Sequence, residues 1–95
     1  MKVIIKKPEE KYGVFTDIDN ELETLQQIVG GYIEVLPFNN CLIICNEDGK
    51  YLGLKPNLKI GFDVIVGTII VCGREGEEFT DVPVTAEEWK KLIGA

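Results

Sequence analysis

Residues 30–57 read GGYIEVLPFNNCLIICNEDGKYLGLKPN, and the rest of the chain is arranged about them. The run CLIIC at residues 41–45 is too short for an independent helix and rich in strand-favouring side chains, so it is expected to be a buried strand. Asp48-Gly49 follows between polar neighbours, and a type I′ turn, with positive φ at both central positions, favours that dipeptide. A tight hairpin is therefore expected there, with Tyr51, Leu52 and Leu54 resuming the apolar pattern as a third strand. Pro56 lacks a ladder donor and is expected to end that strand. Upstream, Gly31 turns the chain into a strand over residues 32–36, with Ile33 and Val35 facing opposite to Tyr32, Glu34 and Leu36. Pro37 is expected to stop it.

Towards the amino terminus, residues 3–7 and 12–18 carry β-branched and aromatic side chains and are expected to pair as a hairpin. A helix follows whose start is expected at Asn20, with Glu23 completing a capping box and Gly30 as a left-handed stop. Leu22, Leu25 and Val29 share its apolar face. Towards the carboxyl terminus, residues 62–72 are apolar except at Gly67, which is expected to bend or divide a long central strand. Residues 73–78 form an acidic loop or hairpin tip. A last helix at about residues 86–93 has a capping box in Thr85 and Glu88, and Val84 meets Trp89 as a hydrophobic staple. These elements predict one α+β domain over residues 1–95, with a single mixed or mostly antiparallel sheet in the order β-β-α-β-β-β-α. Its first half resembles β-grasp domains in element order, which says nothing about activity.

The 95 residues can bury a compact core without staples, and a 45% aliphatic and aromatic share with 27% charged residues is a globular balance. The formal charge of −6 opposes nucleic-acid binding, which needs clustered lysines and arginines. The one basic grouping, Lys2, Lys6, Lys7 and Lys11, begins on the first strand, where Lys2 and Lys6 are expected to point to solvent. No stretch approaches the ~20 apolar residues of a membrane span. An odd number of cysteines and no secretory segment point to a reducing, cytoplasmic setting.

Histidine is absent, which removes the commonest general base and zinc ligand. Cys41 and Cys45 lie on one strand face roughly 13 Å apart, too far for a disulfide, and with Cys72 they are expected to be small core hydrophobes. No metal or cofactor is expected. Asp17, Asp19 and Glu21 alternate like the start of a calcium loop but lack its glycine and terminal glutamate. In the remaining polar group, Asn46, Glu47, Asp48, Lys50 and Asn57, the needs of the turn alone account for Asp48, yet these side chains can converge with Tyr32 and Glu34 if the hairpin curls over its neighbour. That arrangement is a small ligand-binding pocket with one aromatic face.

The motifs Gly30-Gly31-Tyr32-Ile33-Glu34, Ile44-Cys45-Asn46-Glu47-Asp48-Gly49-Lys50, Gly53-Leu54, Pro56-Asn57 and Val66-Gly67-Thr68 with Gly73 occur in that order. In this combination the chain resembles the family of domain of unknown function 3846, from about Met1 to Phe79, with the Trp89 helix in a more variable end. The resemblance implies a bacterial, phage or mobile-element origin and carries no catalytic residues. The expected function is a non-enzymatic binding or interaction domain that engages a protein partner or itself. The alternative is a small-molecule binder that sequesters a nucleotide-like metabolite. Catalysis, the third reading, would be acid-base work by Glu34, Glu47 or Asp63 with Lys50.

Overall fold

The computed structural model describes residues 1–94, so Ala95, included in the expected domain, lies outside the described residues. β-branched residues open the chain as β1 (Lys2–Lys6), which pairs antiparallel with β2 (Val14–Asp17), Ile4 opposite Phe15. Helix α1 (Leu22–Val29) follows and stops where Gly30 takes a left-handed φ of 81°. β3 (Ile33–Phe38) and β4 (Cys41–Asn46) form an antiparallel hairpin turned at Asn39, whose φ is 55°. β5 (Pro56–Ile60) and β6 (Asp63–Val66) make a separate two-stranded ribbon. β7 (Ile69–Glu75), β8 (Glu78–Thr80) and α2 (Ala86–Leu92) complete the described elements.

The main sheet runs β2-β1-β7-β4-β3, with β8 also paired to β7, and every pairing is antiparallel. The chain is thus an α+β fold on a mostly antiparallel sheet. β4 and β7 are its buried centre, and their near-continuous apolar sequences follow from burial on both faces. On one face Val3, Ile44, Ile70 and Cys72 pack against Leu25 and Val29 of α1. On the other, Ile4, Ile43, Cys45, Ile69 and Val71 lie beneath Trp89 of α2 and Ile65 of the ribbon. The amphipathic pattern of α2 is anchored by the expected capping box: Thr85 Oγ1 accepts from Glu88 N–H at 3.2 Å, and Glu88 Oε1 accepts from Thr85 N–H at 2.9 Å. Trp89 Nε1 donates to Tyr12 O at 2.7 Å, so the one buried indole has its polar edge satisfied.

Several expectations are corrected. Helix α1 begins one turn-position later than Asn20: Glu21 is its N-cap without a side-chain bond, and Asn20 Nδ2 instead donates to Phe79 O at 2.9 Å. Leu22, at the start of the helix, is exposed while Leu25 and Val29 are buried. Pro37 does not end β3, because β3 is an edge strand and its unpaired side needs no donor. Asp48-Gly49 makes no two-residue hairpin, since neither residue has positive φ. Asn46 Oδ1 accepts Asp48 N–H at 2.8 Å, and Leu52 N–H bonds to Asp48 O at 2.9 Å, winding residues 48–52 into one helical turn. Tyr51, Leu52 and Leu54 are consequently not a strand. Pro56 starts β5 rather than ending a strand, a position that tolerates its missing N–H. The run 62–72 is divided at Gly67, as expected, but its halves enter different sheets. Lys6 does not reach solvent: the ribbon covers it, and it is buried.

Candidate functional site

The ribbon lies across the α2 face of the sheet beside β4 and leaves a cleft of about 320 Å³ between them. Leu36 of β3, Cys45 of β4, and Ile65 and Val66 of β6 supply its apolar part. Glu34 reaches it because residues 34 and 36 alternate onto the same face of β3, opposite Cys45 and Ile43. The helical turn contributes Asp48, Lys50 and Tyr51, and Glu47 precedes it. Gly49 holds that turn against β6, where any Cβ would sit 2.8 Å from Val66 Cγ2. Small size at position 49, not positive φ, is what the fold requires there.

Lys50 and Asp63 form an ion pair that ties the turn to the start of β6. Hydrogen bonds from Lys50 and from Val64 N–H hold the Asp63 carboxyl below its ordinary range. Both side chains are exposed, so the pair positions the ribbon more than it stabilises the fold. The residues next to the pair are uncovered aromatics: Tyr51 is 91% exposed, and Phe62 at the ribbon tip is fully so.

Four of the six expected site residues meet in this cleft: Glu34, Asn46, Glu47 and Lys50. Asn46 is buried and committed internally, its Nδ2 donating to Val29 O at 3.1 Å while Oδ1 holds Asp48. It joins the end of α1 to the turn, and Gly31 leaves it room, since a Cβ there would come within 2.9 Å of Asn46 Nδ2. Tyr32 lines an adjoining hollow with Gln26, Gly31, Leu52 and the shared Asn46 and Asp48. Asn57 is elsewhere. Its Nδ2 donates to Lys6 O at 2.8 Å and Gly67 O at 2.7 Å, and its Oδ1 accepts from Lys6 Nζ at 2.7 Å. This is a structural clamp between ribbon and β1, which removes Asn57 from the ligand-facing set. Burial lowers the Lys6 pKa below its ordinary 10.5, against the opposing pull of Glu10 and Glu9.

Residue reasoning missed Tyr51 and Ile65 as wall residues and named Asp63 only for acid-base chemistry. The signal was present in Gly61-Phe62, a two-residue turn between Ile60 and Asp63 with Gly61 at φ 59°. All three cysteines are free and buried. Burial, then Glu34 and Asp63, push the Cys45 thiol up to about 11, and burial takes Cys72 to about 12. Such thiols are poor nucleophiles at neutral pH. Cys41 and Cys45 face the α2 layer and Cys72 the α1 layer, so the three do not share a site. Among the described residues, no three Cys, Asp or Glu side chains converge as a metal site, and no helix is long and apolar enough to cross a membrane.

A family model described as domain of unknown function (DUF3846) matches residues 1–94, reaching past Phe79 through the Trp89 helix. No curated protein and no solved structure matches the chain.

Proposed function

Since the chain belongs to the DUF3846 family, whose description assigns no activity, we propose on physical grounds that it is a non-enzymatic binding module that docks a protein partner at the ribbon cleft. One observation carries this reading. An apolar-floored cleft is lined by Tyr51 and reaches Asp63, the neighbour of Phe62 in the chain, and the fold leaves both aromatic side chains in water. Covering each would contribute about 2 kcal/mol of apolar burial, the scale of an interface anchor. The buried, high-pKa thiols and the absence of histidine favour recognition over nucleophilic chemistry. Three buried free cysteines suit a cytoplasmic setting, where thiols stay reduced.

A small-molecule reading draws support from the cleft volume, about 320 Å³, which lies at the lower end of ligand pockets. Its carboxylate lining opposes a phosphate-bearing metabolite. Affinity capture from a bacterial lysate, run beside a Tyr51→Ala/Phe62→Ala variant, tests the docking reading. A partner held by the native chain and lost by the variant is expected, and equal retention by both overturns it. A thermal-shift panel of metabolites separates the second reading, which predicts about 2.7 kcal/mol of stabilisation at ligand a hundredfold above its dissociation constant.

A further inference from the structure

We infer that the segment received by the cleft is basic: an arginine or lysine side chain enters beside Glu34, Glu47 and Asp48, and its apolar neighbours pack on Tyr51 and Phe62. The inference rests on the docking reading and adds the chemistry of the partner. Four carboxylates line the cleft, Glu34, Glu47, Asp48 and Asp63, and Lys50 is the basic residue among its described lining. Lys50 is already engaged by Asp63. Three carboxylates therefore remain without a cationic partner around an apolar floor of Leu36, Cys45 and Ile65.

A concave site with low-dielectric walls and one sign of charge concentrates the opposite sign and rejects its own. The chain's overall charge of −6 acts in the same direction at longer range. Arginine fits better than lysine, because its planar guanidinium can bridge two carboxylates and stack on the Tyr51 ring. The exposed aromatics supply what a purely ionic contact lacks, an apolar anchor that is insensitive to salt. The same field excludes nucleic acid and phosphorylated peptides from this face.

Linear peptides selected from a random phage-displayed library against the native chain provide the probe. The enriched peptides are then synthesised with each arginine kept or replaced by citrulline, which keeps shape and removes charge. Titration calorimetry is expected to show binding about tenfold or more weaker for the citrulline form, and weaker again as salt rises. Glu34→Gln/Glu47→Gln is expected to reproduce the loss with an unchanged circular dichroism spectrum. Peptides that shift the amides of residues 47–51 and 63–66 yet bind equally as citrulline forms overturn the basic assignment and leave docking intact. Failure to enrich any peptide, or amide shifts confined to other faces, overturns both.

Discussion

Replacing Asn57 with alanine is expected to destabilise the fold by about 3 kcal/mol, more than its half-exposed position suggests. The side chain makes two bonds to backbone carbonyls, Lys6 O and Gly67 O, and accepts one from the Lys6 ammonium. Neutral bonds contribute about 1 kcal/mol each and one to a charged group about 1.5 or more, of which entering water returns a part. That loss is a large share of the 5–15 kcal/mol typical of a whole domain, roughly. Urea unfolding followed by the emission of Trp89, the only tryptophan, measures it. The slope against urea should be unchanged, since the surface exposed on unfolding is the same. Lys6→Met removes the buried ammonium that depends on this amide. A double-mutant cycle should therefore show coupling of about 1.5 kcal/mol, the combined change costing less than the sum. A cost under about 1 kcal/mol, or strict additivity, would refute the clamp and return Asn57 to the surface set.

The α2 cap predicts a pH effect. Hydrogen bonds from Thr85 hold the Glu88 carboxyl below its ordinary 4.5, so its contribution is complete above that value and is lost as pH falls through the lowered folded value. Glu88→Gln should flatten stability against pH below 4.5, and parallel curves for the two proteins would exclude the effect. Thr85→Ala should cost about 1 kcal/mol, read from the same urea curves. For the thiols, a Cys45 value of about 11 leaves about one part in ten thousand ionised at neutral pH. Labelling of native protein by a disulfide reagent should follow the rate of opening, with all three thiols reacting at once in urea, and fast labelling of the native fold would contradict their burial.

Where one local signal stands alone, the sequence is legible. The first hairpin, the Gly30 stop, the buried CLIIC strand and the Thr85 cap each formed as their residues indicate. Where two signals compete, it is not. Asp48-Gly49 lost to Asn46, whose side chain takes the Asp48 N–H and bends the backbone into a helical turn. A proline suits the end of one strand or the start of another with equal chemistry, and only the pairing of Pro56 with Val66 makes it a start here. For the site, Glu34, Asn46, Glu47 and Lys50 gather because they flank one hairpin and its turn. Asn57 departs because a buried ammonium, placed by long-range packing, claims its amide. Ribbon residues such as Ile65 were hidden for the same reason: 21 to 31 positions separate them from Glu34 to Ile44 in the chain, and no local pattern reports that docking.

β4 and β7 hydrogen-bond directly to each other, Ile44 opposite Ile70, although more than twenty positions separate them. The chain between them leaves the sheet and returns to the neighbouring rail, so the ladder never passes through the turn or the ribbon. Drift in that detour can recut the mouth of the cleft and leave the rails in register. Substitutions there can thus reshape the cleft without disturbing the ladder, provided something as apolar as Ile65 still roofs Ile43 and Cys45.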